Sequence, residues 1–530
     1  MRAATDERQK NMNSKKTLKS YFFSLNSKER FSLGIRILLL LSYSAILMVM
    51  RCDIGLTIYD TYITIIGMIA AALFFGPVLF SIVFCPLVLI LAIETHLFFT
   101  YGYSLLSFGA QLGRLISDTN KAEILEYIPK LGMPEVTMLA LFVLCLPGLF
   151  FYKPKMTGIS KLWKSAIFIT VFLSCAFGCV SRTRLMFLSI FSSERADILA
   201  KVNAFHFFPY KQKTKADTVV LLIGKSHRQA EFSPAFDKYA GRFPFLYRFS
   251  DMISQYPGTI DSIPMILSRK KATDHMPFFH EKSIFSLFKE AGYETYFVHY
   301  VNTSSEKNEL SLIYREADNF IQYEKNITAE TDKKILPVLD EILSKPAAKK
   351  LIVIKMIGAH VSFANRYPRS NAFFKNVIAA FKKPTKEKEL YHYNNAISYS
   401  AEIIADIMTK INNRKEPSLL FFSSDHGICI FDKGSFHLPP NCQNAFHIPA
   451  MILLNPALNK ITKQTAKDNL ACNTDKPLTE EYDFETIATL AGITYPAADK
   501  KYDLTQHCNP LKGKKRPVYF INETALYEDL

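Results

Sequence analysis

The feature that most limits how this chain can fold is a crowd of long apolar runs in its first third, with no comparable run afterwards. Residues 31–50 are apolar but for Arg36 and are long enough to cross a hydrocarbon core of roughly 30 Å. Residues 58–99 are almost continuously apolar, too long for one crossing, and Gly76-Pro77 near the middle marks a tight turn between two helices. Residues 136–152 and 162–180 supply a fourth and a fifth span. The first run lacks the small-residue cleavage pattern of a signal peptide. A mean hydropathy of +0.07 is therefore an average over an apolar bundle and an ordinary globular region. With 49% hydrophobic and 21% charged residues, the chain is neither disordered nor collagen-like.

The net charge of +16 fits nucleic acid, an anionic membrane surface or an anionic substrate equally well. Its distribution says more. Residues 1–30 hold eight Lys/Arg against three acids, and Lys153, Lys155, Lys161 and Lys164 lie between the fourth and fifth runs. By the positive-inside rule both segments face the cytoplasm, so an odd number of spans delivers the remainder of the chain to the opposite side. The expected organisation is a basic cytoplasmic segment (1–30), five transmembrane helices (31–180), interfacial linker helices (181–215) and a soluble domain (216–530). Glu123 and Glu126, three apart between spans three and four, form either a solvated helix face or a contact for a cationic lipid headgroup.

The soluble part alternates strand and helix patterns. Asp217–Gly224 is a short apolar, β-branched run ending in glycine, as expected of a buried parallel strand. Helix 283–291 precedes strand 293–300, helix 332–343 precedes strand 351–356, and helix 396–411 precedes strand 417–423. Alternation at this spacing predicts an α/β domain with a mostly parallel sheet between helices, whose chemistry gathers at the carboxyl ends of the strands. Chemistry-bearing residues do follow the strands: Gly224-Lys-Ser-His-Arg228, Gly258-Thr259 at a helix start, Gly358-Ala-His360, and Ser424-Asp425-His426-Gly427 with His437 beyond. Asp425 and His426 suit zinc, which takes carboxylate and imidazole ligands. Thr259 reads either as an N-cap or as a nucleophile that receives an anion at a helix N-terminus.

Taken in order, these motifs resemble the phosphoethanolamine transferases of Gram-negative inner membranes, members of the alkaline-phosphatase/sulfatase-like superfamily. The resemblance runs over nearly the whole chain and includes Arg366-Tyr-Pro368, His447-Ile-Pro449 and Tyr502-Asp-Leu504. It implies a threonine nucleophile at Thr259, zinc ligands at Asp425, His426 and Thr259, and phosphate-side or second-metal histidines at His360 and His437. It further implies Zn2+ (one ion or two) and phosphatidylethanolamine as donor. The implied acceptor is lipid A, lipopolysaccharide core or another periplasmic glycan, with no nucleic-acid partner, and the soluble domain would lie in the periplasm.

Two positions depart from the family pattern. Lys225 stands where the family has a metal-binding glutamate, and Lys355 where it often has a histidine. A protonated lysine has no lone pair to offer a metal. Three readings follow: zinc held by the remaining ligands alone, a lysine that takes over part of the metal's charge, or a catalytically silent relative that binds lipid or a partner protein. Glu231 is a further substitute ligand to consider, and a lipid phosphoglycerol transferase is the alternative within the superfamily. Cys429, Cys442, Cys472 and Cys508 allow three disulfide pairings in an oxidising compartment, with Cys429–Cys442 closing a short loop around His437. A zinc site of Cys429, His437 and Cys442 is the competing use of those residues.

Overall fold

A computed structural model describes residues 25–37, 202, 204–210, 214–273, 281–300, 310–324, 328–345, 349–368, 386–432, 435–437, 442–520 and 523–529. The five expected spans beyond residue 37, the pair Glu123 and Glu126, and most of the 181–215 linker lie outside them. Among the described residues no helix is long and apolar enough to cross a membrane. The chain divides into two compact units, Met1–Ala110 with Leu131–Phe187, and Gln111–Lys130 with Leu188–Leu530.

In the first unit, residues 27–37 are helical. Asn26 and Glu29 exchange bonds at its start: the Glu29 amide donates to Asn26 Oδ1 at 2.8 Å and the Asn26 amide to Glu29 Oε2 at 3.1 Å. Two otherwise orphaned amide donors are thereby satisfied, as in a capping box.

The second unit is built on an eight-stranded sheet in the order β10-β2-β9-β6-β1-β5-β3-β4. The strands are β1 (Thr218–Gly224), β2 (Leu246–Ile253), β3 (Glu294–His299), β4 (Asn319–Gln322), β5 (Lys350–Lys355), β6 (Ser418–Ser424), β9 (His447–Leu454) and β10 (Leu478–Thr479). Two hairpins stand apart, β7 (Cys429–Asp432) with β8 (Ser435–His437), and β11 (Pro517–Phe520) with β12 (Glu523–Leu526). The helices are α1 (Gln229–Ala240), α2 (Thr259–Leu267), α3 (Ile284–Glu290), α4 (Leu310–Tyr314), α5 (Ile335–Ser344), α6 (Lys386–Asn412), α7 (Pro456–Ile461), α8 (Gln464–Asn473) and α9 (Asp483–Ala491).

Strands β1, β5 and β6 are buried along their whole length, which is why they read as continuous apolar runs. Their side chains alternate between two faces. Leu221, Val353 and Phe421 join Ile263 and Ile266 of α2, Phe285 of α3 and Ile487 of α9 in one core. Phe422 points the other way and stacks on Phe232 of α1 at 5.2 Å, where α1 packs against α6. The sheet is thus a layer between helices, and it is mostly parallel: only β9 runs antiparallel, to β2 and to β6.

Strands β2, β4, β9 and β10 were not legible in the sequence pattern. Arg248, Ser250 and Asp251 interrupt the apolar character of β2, which is only partly buried. In β9, Pro449 reads as a break, since proline withholds a ladder donor. Helix α6 begins at Lys386, well before the predicted start at 396, because its first turns are polar and exposed.

Candidate functional site

Register brings the site residues to one edge. Ile223 pairs with Lys355 on β5 and with Ser423 on β6, and Gly224 pairs with Ser424. One residue further, Lys225 and Asp425 leave the sheet side by side, and both are buried. The β5 neighbour Lys355 reaches across the end of β1, where its Nζ donates to the Gly224 carbonyl at 3.3 Å and to Asp425 Oδ2 at 2.7 Å. The ion pair is sealed from water, with side-chain exposures of 2% for Lys355 and 0% for Asp425.

Two close approaches require glycine. A Cβ on Gly224 would lie 2.4 Å from His227 Nδ1. Gly358 has φ +53°, and a Cβ there would lie 2.7 Å from the Lys225 carbonyl oxygen. The loop after β1 also holds Ser226 in the left-handed region at φ +59°. That turn aims the Ser226 amide at Asp425 Oδ1, 3.0 Å away. Tyr393 of α6 clamps the same loop, its hydroxyl donating to the Ser226 carbonyl at 2.8 Å and accepting from the Arg228 amide at 2.8 Å.

Thr259 is the first residue of α2, and the N-cap is Gly258, so the threonine hydroxyl is not spent on capping. It donates to Asp425 Oδ2 at 2.9 Å and lies 3.3 Å from His426 Nε2. His426 Nδ1 is 2.5 Å from the Gly427 carbonyl. A carbonyl only accepts, so Nδ1 carries the ring hydrogen and Nε2 presents its lone pair to Thr259.

All four lone-pair directions of the Asp425 carboxylate are taken: Oδ1 by the Ser226 amide and the His426 amide (2.8 Å), Oδ2 by Lys355 and Thr259. Burial alone would raise its pKa, but His426 in its protonated form and the charges of Lys355 and Lys225 hold it far below the usual carboxylate range. Burial pushes the His426 pKa down, against the pull of Asp425, so the ring is neutral at pH 7.

Of the residues picked out from the sequence, the structure brings together Thr259, Asp425, His426 and Lys355, with Lys225 close enough for its charge to act on both Asp425 and His426. His360 is half-buried on the loop leaving β5, its carbonyl accepting from Arg366 Nε at 3.2 Å. His437 ends β8 opposite Cys429, and its side chain lies outside the described residues. Glu231 does not replace the missing ligand: it pairs with Arg228 Nε at 3.0 Å, and Arg228 also meets Asp432 at 3.3 Å. Cysteines pair as Cys429–Cys442 and Cys472–Cys508. Cys429, Asp432 and Cys442 do lie within 4.8 Å of one another, but the two sulfurs are bonded together and so are not metal ligands.

Sequence reasoning missed three supports. Asp332 accepts from the amides of Ile357 (2.9 Å) and Gly358 (2.8 Å) and so holds the loop after Lys355 in place. Tyr323 hydroxyl donates to Asp332 Oδ1 at 2.9 Å. Ser400 Oγ lies 2.7 Å from His227 Nε2. Asp332 lay in a predicted helix, where nothing marks a carboxylate as a loop anchor.

The model of the sulfatase family matches residues 217–493. Phosphoethanolamine transferase EptC of Escherichia coli K12 is 25% identical over 231 residues, covering 41% of this chain and 40% of that protein. The match thus spans about two fifths of the length of this relative. The zinc complex of the C-terminal periplasmic domain of EptC from Escherichia coli has the same fold, with TM-score 0.52 and 20% identity over 61% of this chain and 95% of that one. The integral membrane protein lipooligosaccharide phosphoethanolamine transferase A (EptA) from Neisseria meningitidis aligns over 90% of this chain and 98% of its own, with TM-score 0.63 and 17% identity.

Zinc is the ion in the complex of that EptC domain, and the donors of this chain can be tested against it. The donors present here do not fit it. Thr259, Asp425 and His426 converge, but every lone pair of Asp425 is already used, one of them by an ammonium, and a second buried lysine stands beside it.

Proposed function

Because the chain belongs to the sulfatase family, we propose that it is a membrane-anchored phosphoethanolamine transferase acting through Thr259. The observation that carries this reading is the placement of the Thr259 hydroxyl at the start of α2, between Asp425 at 2.9 Å and His426 Nε2 at 3.3 Å. The Thr259 hydroxyl turns its hydrogen from Asp425 Oδ2 to His426 Nε2, which takes the proton as Oγ1 attacks the phosphorus of phosphatidylethanolamine. The phosphorus–oxygen bond to diacylglycerol breaks, and the leaving oxygen takes that proton back. A hydroxyl or phosphate of lipid A, lipopolysaccharide core or another periplasmic glycan then attacks the phosphorus; its proton passes through His426 Nε2 to Thr259 Oγ1 as the phosphorus–Oγ1 bond breaks, which frees Thr259. Asp425 is a poor base, being held ionised, and serves to orient the hydroxyl. The first amides of α2 and the charge of Lys355 and Lys225 face the incoming phosphoryl anion.

Five apolar runs and basic segments on one side support an inner-membrane anchor with the sheet domain in the periplasm, and the two disulfides agree with that oxidising compartment. Glu123 and Glu126 remain our proposed contact for the ethanolamine ammonium, and His360 and His437 for the phosphoryl side. The test is release of diacylglycerol from phosphatidylethanolamine vesicles by the detergent-purified full chain, with trapping of a labelled phosphothreonine. Thr259→Ala is expected to reduce release by about 10³-fold or more; release that survives the substitution would remove Thr259 from the mechanism. The Lys355–Asp425 ion pair favours one second reading, a catalytically silent lipid-binding relative. That reading predicts vesicle binding with no release by wild type.

A further inference from the structure

The lysines of this site occupy the ground a metal would need. Lys355 Nζ and Thr259 Oγ1 share one oxygen, Asp425 Oδ2, at 2.7 and 2.9 Å. The other oxygen is closed by two backbone amides that the left-handed turn at Ser226 and the chain direction at His426 fix in place. A divalent ion at Asp425 would have to displace Lys355, leaving an ammonium buried at 2% exposure with the ion beside it. Lys355 itself is not free to swing away. It is anchored to the Gly224 carbonyl, and Asp332 pins the loop that follows it through the Ile357 and Gly358 amides. Lys225, buried in the loop after β1, adds a second positive charge near enough to act on Asp425.

We propose that Lys355 is the resident cation of this site, and that with Lys225 it holds the phosphoryl group of the substrate without a bound divalent ion. The proposal rests on the reading that Thr259 takes up a phosphoryl group. Charge supplied by a side chain costs no ligand set: of the three N–H donors of the Lys355 ammonium two go to Asp425 and the Gly224 carbonyl, and the third, with the point charge itself, serves a phosphate oxygen. Asp425 then keeps Lys355 and the Thr259 hydroxyl in one geometry, so that nucleophile and cation meet the same phosphoryl group.

The experiment measures zinc directly, independent of activity. Full-length protein is purified with and without added zinc, dialysed, and its metal content is read by mass spectrometry, with zinc titrated calorimetrically. Wild type is expected to hold far less than one zinc per chain and to titrate without a stoichiometric step. The double variant Lys225→Glu/Lys355→His is expected to bind one zinc at least 100-fold more tightly. One tightly held zinc per wild-type chain would overturn the proposal. So would a folded double variant that gains no zinc, because the lysines would then not be what keeps the ion out.

Phosphatidylethanolamine release is followed in parallel. Release that persists in excess chelator but falls at least 100-fold in Lys355→Met supports the lysine as the working cation. Release abolished by chelator and restored by zinc overturns it. An absence of release under every condition counts against the transferase reading alone, while the zinc titration still decides between lysine and metal. Should the double variant fail to fold, Lys355→His by itself carries the same zinc comparison.

Discussion

Two fully buried aspartates, in different places on the same domain, have opposite fates. Asp425, at the carboxyl edge of β6, receives four hydrogen bonds, one of them the ion pair with Lys355, and stays ionised. Asp483, the first residue of α9, has no hydrogen-bond partner on either carboxylate oxygen among the described residues. Burial pushes its pKa well above the usual carboxylate range. Glu480, three residues earlier, is also raised well above its usual value by burial, although the Gln255 amide donates to it at 3.3 Å. Equal burial therefore does not decide the charge state. Neighbouring cations do: Asp332 accepts three hydrogen bonds from neutral donors and burial still pushes its pKa up, whereas Asp425 meets the Lys355 ammonium where three central strands end together.

The largest test of that contrast is Asp425→Asn. It leaves Lys355 buried without its counter-charge, and the expected loss of stability is about 3–5 kcal/mol in urea melts. A loss under about 1 kcal/mol would mean that Lys355 finds other solvation. Next comes the cycle of Asp425→Asn with Lys355→Met. Strong coupling is expected, the double variant being more stable than the sum of the single losses by at least about 1 kcal/mol. Additive losses would show that the ion pair is not a unit.

Asp483→Asn tests the other half. A carboxyl with a raised folded pKa gives stability that is fully present below 3.8, its unfolded value, and lost as pH rises through the folded pKa. The substitution removes one titrating proton, so the alkaline decline should flatten by up to about 1.4 kcal/mol per pH unit. An unchanged slope would show that Asp483 is ionised when folded. The smallest effect concerns His227, whose pKa is lowered to about 3 by burial, with Lys355 and His426 adding to that and Asp425 opposing it. Here the sign reverses: the unfolded chain takes the proton first, so stability falls as pH drops from 6.5 toward 3. His227→Gln should make that acid limb shallower by at most one proton's worth, read as thermal midpoint against pH.

Much of the domain could be read from the chain in advance, because the informative signals were local. Apolar β-branched runs at β1, β5 and β6 bury both faces, so each announces itself without reference to a partner. Short polar motifs after those strands marked Lys225, Asp425 and His426 as site positions, since an α/β sheet places chemistry at its carboxyl ends, while a helix start marked Thr259 and the family resemblance marked Lys355. Local signals failed where burial was partial or the pattern broken, as in β2 with Arg248 and Asp251 and in β9 with Pro449. Four cysteines likewise allowed three pairings, and only the approach of distant segments selected Cys429–Cys442 and Cys472–Cys508.

Residue identity alone placed two lysines where metal ligands were expected, and it left their consequence open between a weakened zinc site, a substitute cation and a silent domain. That Lys355 crosses the end of β1 to meet Asp425, a residue 70 positions away, is a property of the β5-β1-β6 order and of a glycine at its crossing point. Charge state and ligand capacity depend on which donors reach a carboxylate within about 3 Å, and that distance is set by tertiary register rather than by any stretch of chain.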